Sequence, residues 1–186
     1  ARLNRSQEIA HLGSWELDLT TGELTWSDEV YRIFGLRPQE FGATYEAFLE
    51  RVHPDDRQAV NDAYKGSLRE GRDVYEIDHR IVRNDTGEVR TVHEKCEHFR
   101  DATGSIVRSV GMVHDITERK RAEEALRESE QRFRTLTNTM PQLVWTADPD
   151  GRVDYYNERR KEYQGIEAAA DGDFNWTPVL HEDDVE

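Results

Sequence analysis

The stretch that decides the fold runs from Asp73 to Thr117: "DVYEIDHRIVRNDTGEVRTVHEKCEHFRDATGSIVRSVGMVHDIT". Two turn sequences, "NDTG" (Asn84–Gly87) and "ATGS" (Ala102–Ser105), divide it into three long segments. In the first, Tyr75, Ile77, His79 and Ile81 alternate with Glu76, Asp78 and Arg80, the period of a strand with one apolar face. Alternating runs joined by Asn, Asp and Gly turns predict a three-strand antiparallel meander.

Upstream, "SWELDL" (Ser14–Leu19) also alternates, with Trp15, Leu17 and Leu19 on one face. "TTG" at Thr20–Gly22 turns the chain, and "ELTWS" returns with Leu24 and Trp26 inward, so this reads as a hairpin. "SDEVYRIFGL" places Val30, Ile33 and Phe34 at helical spacing, with Ser27 or Asp28 as cap and Gly35 as stop. "TYEAFLERV" is a second short helix, and "PDDRQAVNDAYKGSLREG" a longer one, with Val60, Tyr64 and Leu68 four apart. Two strands, several helices and three strands make an α+β fold, an antiparallel sheet with helices on one face.

From Thr117 the period changes. Ala122, Leu126, Ser129, Phe133, Leu136 and Met140 recur at three- and four-residue intervals, a narrow heptad-like seam on a polar helix. Such a helix either pairs with a second copy as a parallel coiled coil or lies on its own domain. Beyond it the opening pattern returns: "ADPDGRVDYYNERRKEYQGI" matches "LTTGELTWSDEVYRIFGL", with Gly151 at Gly22, Val153 at Leu24 and Tyr155 at Trp26. "HPDD" at His53–Asp56 is echoed by "HEDD" at His181–Asp184, a repeat of period near 129. In both copies the motif reads as a helix start, with Pro54 at the first helical position and Asp55 and Asp56 in the first turn.

The net charge of −14 opposes nucleic acid and anionic membrane as partners. No apolar run is long enough for a membrane span, so no membrane contact is expected of this chain. The single cysteine, Cys96, excludes an internal disulfide framework and points to a reducing, cytoplasmic setting. The chain begins without Met and ends in mid-pattern, which reads as a piece of a longer protein.

The combination "HPDDR", "YEIDHR", "DTGEVR" and "DIT" resembles a PAS sensory domain with its C-terminal motif, over about Gln7 to Thr117. The resemblance implies a five-stranded antiparallel sheet in the order 2-1-5-4-3 with short helices on one face. It implies residues 1–116 as a PAS domain, 117–137 as a helical linker and 138–186 as the start of a second PAS domain. It also implies a sensory input module, of a sensor histidine kinase in the first place, with a kinase or other output domain in the same chain and a homodimer formed through the linker. Cyclic-dinucleotide enzymes, chemoreceptors and transcription regulators are the other outputs. One position departs from the family: Thr91 stands after Arg90 where a Trp is common.

Candidate walls of a small-molecule cavity are Trp15, Leu17, Trp26, Ile33, Phe34, Tyr75, Ile77 and His79. The relay candidates are Asp78, Arg80, Asp115, Ile116 and Thr117, with Asp115 paired to Arg80 and the Thr117 hydroxyl capping the helix. His93, Glu94, Cys96, Glu97 and His98 read as a polar sheet surface, because alternation leaves only two metal ligands on one face. No metal is therefore expected. Cys96 on a strand does not suit a cysteinyl–flavin photosensor, and the helix Asp55–Glu70 offers no axial His for haem. No nucleophile elbow or phosphate loop is present, so the fragment carries no expected catalytic residue. A competing function class, a hydrolase using the HPDD and HEDD carboxylates, would need a third ligand or a nucleophile beside them.

Overall fold

The computed structural model describes residues 10–39 and 43–160. Five strands, β1 (Leu12–Asp18), β2 (Leu24–Trp26), β3 (Val74–Val82), β4 (Val89–Arg100) and β5 (Ile106–Asp115), form one antiparallel sheet in the order β2-β1-β5-β4-β3. Helices α1 (Asp28–Ile33), α2 (Tyr45–Arg51) and α3 (Arg57–Arg69) lie between β2 and β3 in the chain. A long helix, α4 (Thr117–Thr139), follows β5. The meander and hairpin fall where the alternation put them, and the sheet order is the one the resemblance implied.

The core lies between the sheet's inner face and the short helices. Trp15, Leu17, Leu24, Trp26, Tyr75, Ile81, Val92 and Val113 come from the strands, and Val30, Phe34, Phe48, Val60 and Tyr64 from the helical segment. Rings join the two layers where Trp26 stacks on Phe34 at 5.3 Å and Tyr64 meets Tyr75 at 5.9 Å, and Phe34 meets Phe48 at 6.1 Å within the helical layer. Each such pair adds roughly 0.5–1.5 kcal/mol beyond its buried area. Gly35 ends α1 at φ +71°, a left-handed conformation that side chains resist.

HPDD starts a helix, but a 3₁₀ one: Pro54 lies at its start, Asp55 and Asp56 fill its first turn, and α3 follows from Arg57. The turn docks on β3, the sheet's edge strand. Val52 bridges to Ile81, and the His53 amide donates to the Arg80 carbonyl at 2.8 Å. Asp56 Oδ2 accepts from the Arg80 backbone amide at 2.8 Å, and Asp56 Oδ1 from its guanidinium at 2.6 Å. The motif therefore covers an open strand edge, where an unpaired backbone amide needs a partner.

The chain divides into two units, residues 1–122 and 123–186. In the second, β6 (Trp145–Ala147) and β7 (Val153–Tyr156) form a hairpin. Its register pairs Trp145 with Tyr156, as β1 and β2 pair Trp15 with Trp26. The spatial counterpart of Trp26 is thus Tyr156, one residue beyond the Tyr155 that the ungapped sequence match selected. A register shift between Thr146 and Ala147 accounts for the slip. HEDD lies outside the described residues.

Candidate functional site

The inner face of the sheet and the helices enclose a cavity. Its walls are Trp15, Leu17, Leu24, Trp26, Val30, Phe34, Tyr45, Phe48, Tyr64, Tyr75, Glu94 and Val113. The space open to the centre of a water-sized sphere is about 20 Å³, room for a group of one or two heavy atoms. Trp15, Leu17, Trp26, Phe34 and Tyr75 were expected as walls and line it. Ile33, Ile77 and His79 do not. Ile33 is buried elsewhere, Ile77 packs at the core's margin, and His79 lies behind the edge of Phe48, with ring centres 6.0 Å apart. Gly111 sits opposite Trp15 across the β1–β5 ladder, and a Cβ there would overlap the indole ring. The bare glycine lets Trp15 lie across β5.

Glu94 is the one carboxyl among the walls that sequence reasoning missed. The segment "HEKCEH" looked like a solvated face, but Glu94 and Cys96 pair directly with the inward Ile77 and Tyr75. Residues opposite one another share a face. Glu94, Cys96 and His98 are therefore all buried, which corrects the polar-surface reading. Among the described residues no group of three or more His, Cys, Asp or Glu could hold a metal ion.

Glu94 is 2 % exposed. Its Oε1 accepts the Tyr75 hydroxyl at 2.9 Å, while Oε2 has no hydrogen-bond partner among the described residues. Burial pushes its carboxyl up to about 7. His79, 3 % exposed, has no partner on either ring nitrogen among the described residues. Burial pulls its imidazole down to about 4. His79 Nδ1 stands 3.9 Å from Glu94 Oε2, beyond hydrogen-bond length. With burial holding the imidazole neutral and favouring the protonated carboxyl, the contact is no ion pair.

His98, 6 % exposed, is bonded at both nitrogens. Ser67 Oγ donates to the Tyr64 carbonyl at 2.7 Å, so it can only accept from His98 Nε2 at 2.8 Å. His98 Nδ1 then accepts from Ser109 Oγ at 2.8 Å, and Ser109 accepts the Tyr64 hydroxyl at 3.2 Å. The chain of donors closes with one tautomer and no orphan. Burial pushes the Cys96 thiol up to about 12, which makes it a poor nucleophile.

The exit from sheet to helix is built on Thr91. Its amide donates to Thr117 Oγ1 at 3.0 Å, and its carbonyl accepts the Ile116 amide at 3.0 Å. The cap roles are exchanged relative to expectation. Asp115 Oδ1 accepts the Thr117 amide at 3.0 Å, so Asp115 rather than Thr117 satisfies the helix's first amide. Asp115 Oδ2 pairs with Arg90 at 2.8 Å, not with Arg80, which is held by Asp56. β4 separates Arg80 on β3 from β5, and Arg80 faces the docked 3₁₀ turn. Burial alone would raise Asp115, yet Thr117 and Arg90 hold it below the ordinary carboxylate value. Asp78 bonds His93 at 2.8 Å and Lys120 of α4 at 3.1 Å, and Arg121 reaches Glu88 at 3.0 Å. The hydrogen bond from Arg80 brings Asp56 down to about 2. Asp56 thus serves a strand-edge pairing, while Asp55, 73 % exposed, touches Arg80 at 3.4 Å.

On the seam, Ala122 and Ser129 are exposed, as are Leu126 (63 %), Leu136 and Met140. Phe133, also exposed, meets Tyr155 in a tilted ring contact with centres 5.0 Å apart. Among the described residues no helix is long and apolar enough to cross a membrane.

A five-stranded 2-1-5-4-3 sheet closed by short helices over a small cavity, with a helix leaving its fifth strand, defines the class. The PAS fold family profile matches residues 23–113. A sensory box histidine kinase/response regulator from Burkholderia thailandensis is 31 % identical with a TM-score of 0.58, covering 73 % of this chain and 99 % of that one. The chain belongs to the PAS fold family. Sensor protein FixL of Bradyrhizobium diazoefficiens is 30 % identical over 78 % of this chain. A blue-light-activated histidine kinase of Brucella anthropi is 35 % identical over 82 %. The chain spans 28 % and 32 % of those two relatives.

Proposed function

We propose that this chain is the input region of a multidomain prokaryotic signalling protein, a sensor histidine kinase in the first place, and that it passes the state of its cavity to α4. The observation that carries the reading is the pair of hydrogen bonds that join Thr91 to Thr117 and Ile116, which makes the start of α4 an extension of the sheet's ladder. Asp78–Lys120 and Arg90–Asp115 add charged ties between the sheet and the exit. A change in sheet twist then re-aims the helix. The histidine-kinase output rests on the relatives' names; a cyclic-dinucleotide enzyme, chemoreceptor or transcription regulator would use the same exit.

On this reading residues 1–116 are the first PAS domain, 117–137 the linker and 138–186 the start of a second. The hairpins support the repeat. Ser27 Oγ accepts the Ser14 amide and the Ser27 amide bonds Ser14; Asn157 Oδ1 accepts the Val144 amide and the Asn157 amide bonds Val144. The seam Ala122, Leu126, Ser129, Phe133, Leu136 and Met140 pairs α4 with that of a second copy. L126D/L136D should then sediment as a monomer while the parent sediments as a dimer.

The relay is tested by V30I, which adds a methylene to a cavity wall on α1, remote in sequence from the exit. Amide exchange at Thr117–Arg121 should change; exchange identical to the parent overturns the relay.

A further inference from the structure

We propose that the cavity binds a small protonated amine, of ammonium or methylammonium size, with Glu94 as its counter-ion. The inference rests on the cavity reading above and names the class of ligand. Three observations converge. The void is small, with room for a group of one or two heavy atoms. Its walls are electron-rich rings, Trp15, Trp26, Tyr45, Tyr64 and Tyr75, whose faces attract cations. One carboxyl joins them, buried, with Oε2 unpartnered among the described residues.

The groups that surround Glu94 supply no competing charge. Tyr75 on β3, Tyr45 on α2, Tyr64 on α3 and Cys96 on β4 all have ionisations raised by burial, so they are neutral at physiological pH. His79 on β3 is held neutral by burial. Among the described lining residues Glu94 alone changes charge near neutrality. A neutral alcohol could bond to Oε2, but it would not draw on the ring faces. An ammonium group satisfies Oε2, meets the rings and compensates the carboxylate that burial disfavours.

Binding requires the carboxylate, so below about pH 7 the amine must displace a proton. The test is calorimetric titration of the intact chain with methylammonium chloride at constant ionic strength, at pH 8 and pH 6, in buffers of different ionisation heat. The expected result is saturable binding, about tenfold weaker at pH 6 than at pH 8, with close to one proton released at pH 6. E94Q should weaken binding by about tenfold or more and remove the pH dependence. Methanol, similar in size but uncharged, should not bind.

Three results overturn the assignment: no saturable heat from the parent chain, equal binding by E94Q, or equal binding of methanol. Circular dichroism and a cooperative urea transition for E94Q establish that the variant is folded. The V30I exchange experiment uses no amine. A changed exchange pattern without amine binding therefore sinks this assignment alone, whereas unchanged exchange sinks the relay itself.

Discussion

His98 and His79 lie on the inner face of the same sheet, nearly equally buried, and the protein treats them in opposite ways. His98 sits in a closed circuit, with Ser67, Ser109 and Tyr64 leaving no donor or acceptor idle. His79 and its neighbour Glu94 form an open pair, three buried polar atoms with no partner among the described residues. Burial alone therefore does not set what a polar side chain does here; completeness of pairing does. A closed circuit specifies one packing, and an open pair leaves free energy that a ligand or a proton can release.

The largest expected effect would break the comparison outright. H98A takes the acceptor from the Ser109 hydroxyl and the donor from Ser67 in the core, opens a cavity there, and should cost about 2–4 kcal/mol by urea unfolding. H79L removes only unbonded nitrogens and should change stability by less than about 1 kcal/mol, or raise it. Equal losses in the two variants would mean that pairing is not the difference.

The second effect sharpens it through pH. Glu94 is raised in the folded state to about 7, so its contribution is full below the ordinary carboxylate value and is lost as pH rises toward 7. His79 is lowered to about 4 from 6.5, so its contribution is present above 6.5 and is lost as pH falls toward 4. In the parent the two slopes oppose each other across the interval between. E94Q leaves the His79 slope alone, and stability should fall with acid by up to about 1.4 kcal/mol per pH unit more steeply than in the parent. Urea midpoints from pH 4.5 to 7.5 measure it; parallel curves for E94Q and parent would show that the pair does not titrate.

Two smaller effects extend the contrast to half-exposed pairs. Asp56, paired twice with Arg80, is lowered to about 2, so its contribution is present above 3.8 and lost as pH falls toward 2. D56N should cost about 1 kcal/mol at pH 7, and less once the parent's Asp56 is protonated. Lys120 meets Asp78 in solvent, and K120A should cost at most about 0.5 kcal/mol in stability. Amide exchange in the first turn of α4 would register that loss sooner than a urea midpoint.

The sheet was legible because alternation and turn residues are local. Tyr75 and Ile77 announced an inner face, and Glu94 and Cys96 opposite them could have been placed by counting across the "NDTG" turn. Their polarity hid them: composition suggested a surface where register required a core. The Asp56–Arg80 pair joins residues 24 apart in sequence, and nothing local distinguishes it from an Asp115–Arg80 pair. The slip from Tyr155 to Tyr156 came from a register shift, which an ungapped match cannot represent. Five cavity walls were visible as inward aromatic and aliphatic residues, but Tyr45, Phe48 and Tyr64 needed the helices to be docked before their direction was known.

Gly111 gives the protein a dial outside the cavity. The indole of Trp15 rests on a position that has no side chain, so adding even a methyl group there must push the ring toward the void it walls. Selection can thereby resize the chamber by editing a residue that never touches its contents. Two relatives with identical linings could differ in what they admit because of a single atom on the strand behind.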